Sequence, residues 1–239
     1  FTYDVQKALP GLAFARDGYY LSGWSTNPSA TTSEYAENEF VTNPLFDEAD
    51  RVFYAVWRPN AYTVIFNAND HSYRTASQKF VYDVQEPLDA NTFDRTGYDF
   101  VSWNTQADGT GIAYADGELV TSLATSGDVN LYAQWEPHEY GVVFDAQGGL
   151  GTMASLTLTY DALPVSLPLN TFERVGYTFA GWNTSPDGTG DAYADGARVR
   201  NLVPEGQGVL YAQWTPNEFA VSFDANGGVG TMPSQVFTY

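Results

Sequence analysis

A mainly β fold with little helix, made of small units strung in tandem, is predicted by three features of the sequence. Aromatic residues recur at a fixed step: Trp24, Trp103 and Trp182 lie 79 apart, as do Gly18-Tyr19, Gly97-Tyr98 and Gly176-Tyr177. Short runs alternate in the manner of half-buried strands, as Tyr140, Val142 and Phe144 do with Gly141 and Val143. Glycine-rich and Asp-Gly stretches separate these runs, and abundant Tyr and Thr with 22 Gly favour strands joined by turns.

Further series keep this period to within one residue. Tyr35-Ala36, Tyr114-Ala115 and Tyr193-Ala194 step together, and so do Trp57, Trp135 and Trp214, and Tyr3, Tyr82, Tyr160 and Tyr239. Segments 97–118 and 176–197 share 15 of 22 residues, whereas the first copy has Asn27-Pro28-Ser29 in place of Asp-Gly-Thr-Gly. A repeat of this length exceeds the roughly 40 residues that fold without staples, so each copy is read as a bead with its own core.

The unit opening at Tyr140 sets out the elements. Its first strand, 140–144, is matched by Tyr62, Val64, Phe66 and by Phe219, Val221, Phe223. A glycine-rich loop, 145–152, leads to a second strand in which Leu156, Leu158 and Tyr160 alternate, and the two read as a hairpin. Segment 170–176, repeated at 91–97, has a capping Asn, an acid and a closing Gly, which suggests one short helical turn. A third strand, 177–182, runs into the turn Asp187-Gly188-Thr189-Gly190. Val199 and Leu202 lie three apart, as one helical turn would pair them. Segment 209–214 closes the unit, with Leu210, Ala212 and Trp214 on one face. The expectation is about four strands per unit and at most one or two helical turns.

Each joint, 57–62, 135–140 and 214–219, sets four residues between two aromatics, with proline second. Proline fixes φ and a short linker limits hinging, so the beads are expected on a semi-rigid rod. The boundaries are a partial repeat at 1–57 lacking its opening hairpin, full repeats at 62–135 and 140–214, and the opening hairpin of a further repeat at 219–239. The chain starts Phe1-Thr2-Tyr3 and ends Phe237-Thr238-Tyr239, so the two end pieces are complementary. Either a longer array supplies the missing halves, or 219–239 of one molecule completes 1–57 of the next, head to tail.

Composition excludes several functions. With 10 Lys+Arg against 29 Asp+Glu, a net charge of −19 argues against nucleic acid and anionic lipid as partners. No apolar run approaches the roughly 18 residues of a membrane span, so no membrane insertion is expected in this segment. No signal peptide is recognised, so a secreted origin would make the chain an excised segment. With no Cys, disulfides and thiolate chemistry are excluded.

Phe-Asp-Ala-Asn-Gly-Gly at 223–228, Gly-Thr-Met-Pro at 230–233, Gly-Tyr-Thr-Phe-Ala-Gly-Trp-Asn-Thr at 176–184 and Leu-Tyr-Ala-Gln-Trp at 131–135 and 210–214 carry a resemblance. They resemble the Listeria–Bacteroides repeat family, the B-repeat type of internalin B and other bacterial surface proteins. The resemblance covers nearly the whole chain. It implies a small β-grasp-like module, strung in tandem in secreted or wall-anchored proteins, with a spacer or adhesive role and no catalytic residue to carry over. The copy at Tyr62 departs from it, with Asn67-Ala68-Asn69-Asp70-His71-Ser72 where others have Gly-Gly, so its hairpin loop must differ.

No catalytic, cofactor-binding or metal site is assigned. Gly148-Gly149-Leu150-Gly151 and Gly227-Gly228-Val229-Gly230 could imitate phosphate loops, but a strand follows and no Lys is near, so they are read as hairpin loops. Asp187, Asp191 and Asp195 could give weak calcium ligands, but without Asp-x-Asp-x-Asp-Gly they are read as turn residues. His71 and His138 occupy different repeat positions and are read as exposed. Lys7 and Lys79 differ in position too, which argues against one Lys–Asn cross-link per unit. The function expected is a non-catalytic extracellular stalk, spacer or filament segment on a bacterial cell surface or wall, with neighbouring copies as partners. The alternative is an adhesin or carbohydrate-binding module for a host protein or glycan. Buried tryptophans fit the first, and coplanar exposed rings the second.

Overall fold

The computed structural model describes residues 6–9, 13–42 and 52–239. Phe1, Thr2 and Tyr3, invoked above for the repeat phase, lie outside the described residues, as do 43–51 of the partial repeat. The chain divides into two compact units, 1–94 with 100–135 and 95–99 with 136–239. Among the described residues all regular structure is strand and none is helix.

The partial repeat contributes β1 (Lys7–Ala8), β2 (Tyr19–Ser25), β3 (Phe40–Val41) and β4 (Tyr54–Pro59). β2 pairs antiparallel with β4, and β1 with β3. The first full repeat follows as β5 (Ala61–Asn67), β6 (Thr75–Val81), β7 (Glu86–Pro87), β8 (Tyr98–Asn104), β9 (Ala113–Tyr114), β10 (Leu119–Val120) and β11 (Gly127–Pro137). Its main sheet has the order β6-β5-β11-β8-β9, with β7 and β10 as a separate two-stranded ribbon. The second full repeat is β12 (Glu139–Asp145), β13 (Leu156–Thr159), β14 (Val165–Ser166), β15 (Tyr177–Asn183), β16 (Ala192–Tyr193), β17 (Arg198–Val199) and β18 (Gly206–Pro216). Its order is β13-β12-β18-β15-β16, with β14 on β17. β19 (Glu218–Val221) and β20 (Gln235–Thr238) form the last hairpin.

In both full repeats the opening and closing strands are parallel neighbours at the sheet centre, β5 with β11 and β12 with β18. Parallel pairing requires a crossover, and here the intervening chain supplies it without a helix. Four long strands per repeat fit the sequence expectation, with two-residue strands added at the rim. Alternation decides the buried face. Tyr62, Val64 and Phe66 on β5 are at most 2% exposed, and Leu131 and Ala133 on β11 are sealed. They pack with Phe80, Leu88, Trp103 and Val120, and the second repeat builds the same core from Tyr140, Val142, Leu158, Leu167, Phe172, Trp182, Val199, Leu210 and Ala212.

Three local expectations are corrected. No helical turn forms at 91–97 or 170–176. The Asn91 and Asn170 side chains instead accept from the amides of Phe93 and Phe172 and donate to those residues' carbonyls, closing a non-helical loop. Val199 and Leu202 do meet in one core, but Val199 arrives on β17, opposite Val165, rather than on a helical turn. The four-residue joints are almost wholly strand, since only residues 60, 138 and 217 separate the closing strand from the next opening strand.

The hairpin loop at 67–74 differs from its counterparts, as expected. Asn69, His71 and Tyr73 take left-handed φ of 52°, 68° and 60°. Arg74 ties the loop down by binding Asp70 at 2.6 Å and Asp94 at 2.9 Å. Burial pushes the Asp70 carboxyl up, but the bonds from the Ser72 hydroxyl, from Arg74 and from the Ser72 amide outweigh it and hold the carboxyl far below its usual range.

Candidate functional site

The joints are the recurrent sites of this chain, and one geometry is built at each. In the first unit the Asn60 amide donates to the Gly18 carbonyl (2.8 Å), and the Asn60 carbonyl accepts from Tyr82 (2.9 Å). Tyr82 thereby lies on Gly18, which has a φ of +77° and whose missing Cβ would fall in the ring. Only glycine combines that φ with that approach. Tyr82 meets Tyr19 edge to face at 5.7 Å. The Tyr19 hydroxyl donates to Asp83 (2.6 Å), which raises the phenol's pKa, and the Arg16 guanidinium covers the Tyr19 ring at 3.7 Å.

The second unit repeats this twice. His138 takes the place of Asn60, bonding Gly97 (2.8 Å) and Tyr160 (2.9 Å). Tyr160 lies on Gly97 and meets Tyr98 at 5.9 Å, Tyr98 donates to Asp161 (2.9 Å), and Arg95 lies over Tyr98 at 3.7 Å. The Asp161 carboxyl is held below its usual range by the Asn201 amide first and by Tyr98 second. Asn217, Gly176, Tyr239, Tyr177 and Arg174 form the third copy, with rings 5.7 Å apart.

The two tryptophan series are structural in different ways. Trp24, Trp103 and Trp182 are at most 5% exposed. Trp182 sits among Phe144, Phe172 and Phe179, and Trp103 among Phe66, Phe93 and Phe100. The indole N–H groups of Trp24, Trp103 and Trp182 bond nothing, and the neighbouring rings offer only weak π acceptors. Trp135 and Trp214 are half-buried, and each donates to the end of its opening strand, at Ala68 (2.7 Å) and Ala146 (2.8 Å). Trp57 is half-buried as well, so none of the six is largely exposed.

The Listeria-Bacteroides repeat domain model matches residues 1–56, 62–134 and 140–213. The chain belongs to that family. A Gly-rich membrane protein by name, from Evansella cellulosilytica, is 33% identical over 219 residues, 90% of this chain and 24% of the relative. A second membrane protein of that organism is 30% identical over 87% of this chain and 29% of its own length. Internalin H of Listeria monocytogenes is 29% identical over 66% of this chain and 26% of its own length. The Listeria-Bacteroides repeats described here thus span about a quarter of these relatives. The relatives are an internalin and membrane proteins, which places the segment with surface- or membrane-associated repeat proteins.

The other candidate residues of these Listeria-Bacteroides repeats have local partners. Asp187 accepts from Ser185 and from the amide and hydroxyl of Thr189, which together hold its carboxyl below the usual range; Asp108 and Thr110 repeat the pattern. Asp195 accepts from the Asn170 amide, and the Asp191 amide donates to Thr184. Among the described residues, no group of three or more His and acidic side chains is placed to hold a metal. Gly148-Gly149-Leu150-Gly151 lies between strands β12 and β13, and Leu150 bridges to Glu173. His71 is exposed, but His138 departs from expectation, since its side chain keeps only 19% exposure inside a joint. Sequence reasoning did not foresee that the Gly-Tyr and tyrosine series meet. Their shared step of 78–79 residues was the available signal.

Proposed function

We propose that this segment is a non-catalytic stalk or spacer of a bacterial surface protein, placed outside the cell, in which each joint is stiffened by the Gly-Tyr/Tyr clamp. The recurrence of that clamp at Gly18, Gly97 and Gly176 carries the reading. Two backbone bonds and an aromatic pair hold the single residue between strands, which leaves a joint little freedom to hinge. The burial of Trp24, Trp103 and Trp182 favours this over a lectin, whose ring-stacking sites need open faces. Neighbouring copies of the repeat are the partners this role requires.

The second reading is an adhesin that contacts a host protein or glycan, favoured by one observation, the left-handed loop carrying Tyr73 at 96% exposure in the first full repeat. Stretching single molecules between two surface handles tests the spacer. Repeats that yield one at a time, each releasing about 260 Å of chain, with no saturable binding to glycan arrays or host cells, are expected. Saturable binding lost in Tyr73→Ala would instead establish the adhesin.

A further inference from the structure

Only one of the three joint positions is a histidine, since residues 60 and 217 are Asn and residue 138 is His. Its backbone bonds as the two asparagines do. The Asn60 side chain donates to the Thr125 carbonyl, and the Asn217 side chain accepts from the Thr178 hydroxyl; the His138 ring makes both kinds of contact at once, and to acidic partners. Nε2 lies 3.0 Å from Asp99 Oδ1 on β8. Nδ1 lies 3.2 Å from the Pro204 carbonyl and 3.8 Å from Glu205 Oε2, in the segment leading into β18. A carbonyl and a carboxylate only accept hydrogen bonds. A neutral imidazole has one N–H and can satisfy one of its two near neighbours, whereas the imidazolium satisfies both. The remaining charged groups of the hollow are Glu136 and Glu139 on the histidine's own flanking strands, and the lining holds no other cation. Every charge facing the ring is therefore negative.

We propose that His138 makes this joint a clamp that tightens in mild acid: the protonated ring ties Asp99 to the Pro204–Glu205 segment, and the neutral ring releases one of the two. The Asp99 bond raises the histidine's pKa most, the Pro204 carbonyl and the two carboxylates add to it, and burial opposes them. A group whose folded pKa is raised gives its full contribution below the unfolded value, about 6.5. That contribution is lost as pH climbs through the higher folded value. The clamp is tight at the acidic end of the physiological range and weakens towards alkaline pH. The inference rests on the two acceptors facing the ring and holds whether or not the segment is a stalk.

The test uses the full chain and the amide of Tyr160, which bonds His138, with the equivalent amides of Tyr82 and Tyr239 as internal references. Hydrogen exchange read as a ratio to those references cancels the intrinsic effect of base. The protection ratio should fall severalfold between about pH 6 and pH 8.5, one proton allowing at most about tenfold per pH unit. His138→Asn installs the residue of the other two joints and should leave the ratio flat, with core amides such as Val142 still protected. Asp99→Asn should lower the midpoint of the His138 ring signal followed by NMR, with His71→Gln assigning the two histidines. A flat ratio in the parent chain, a slope that persists in His138→Asn, or a ring midpoint at or below the ordinary histidine value would each overturn the proposal.

Discussion

Replacing Gly97 with Ala separates two costs that coincide at the joint. Gly97 has a φ of +78°, and a Cβ there would fall in the ring of Tyr160. Gly206 has a φ of +71° with nothing within 4 Å of its would-be Cβ. Gly206→Ala therefore carries backbone strain alone, about 1–2 kcal/mol. Gly97→Ala adds the displacement of a rigid ring. The edge-to-face pair with Tyr98, worth about 0.5–1.5 kcal/mol, is lost with it. So is the Tyr98–Asp161 hydrogen bond, worth about 1 kcal/mol. The expected costs are about 3–4 kcal/mol for Gly97→Ala and about 1–2 kcal/mol for Gly206→Ala. Urea melts with hydrogen exchange at the Tyr160 amide would measure both. A 2 kcal/mol gap moves Tm by about 8–16 °C for a body of this size. Gly97→Ala combined with Tyr160→Ala should cost less than the two singles together, because the ring that clashes is gone. Equal costs for Gly97→Ala and Gly206→Ala, or strict additivity with Tyr160→Ala, would refute the clamp.

Trp182→Ala should cost about 3–5 kcal/mol in denaturant melts. Trp182→Phe should cost far less, because the indole N–H bonds nothing; equal losses would reveal an N–H partner. Trp214→Phe should exceed Trp182→Phe by about 1 kcal/mol, since it removes a hydrogen bond and leaves the Ala146 carbonyl with the Gly149 amide alone, and paired melts would show the order. Asp161→Asn should destabilise its joint at neutral pH. The difference from the parent should shrink as pH falls through the depressed carboxyl pKa, because a lowered pKa stabilises in full above the unfolded value and loses that contribution as pH falls through the folded one; melts from pH 7 down to about pH 2 check this. Phe237→Asp on the exposed hairpin should leave the main transition in place, whereas Leu158→Asp at the equivalent buried position should abolish folding of its repeat.

The sequence by itself determined the repeat, the strands and their buried faces. A period of two places Tyr140 and Val142 on one side of β12, and a chain with no helical stripe must bury that side against other strands. The absence of helix at 91–97 and 170–176 was not legible in this way. An Asn that caps a helix and an Asn that closes an open loop use the same side-chain oxygen, and only the path of the backbone distinguishes them. Tertiary structure alone decided what the joints are. Tyr160 and Tyr98 are 62 residues apart, and local periodicity says which way a side chain points within its own strand, not which foreign surface it reaches. His138 is the sharpest case. Read in sequence it belongs to a linker and to solvent, yet folding brings Asp99 from β8 and Pro204 from the run into β18 against its two ring nitrogens. The physical reason is that a linker's environment is made by the elements it joins, so it exists only once both have folded.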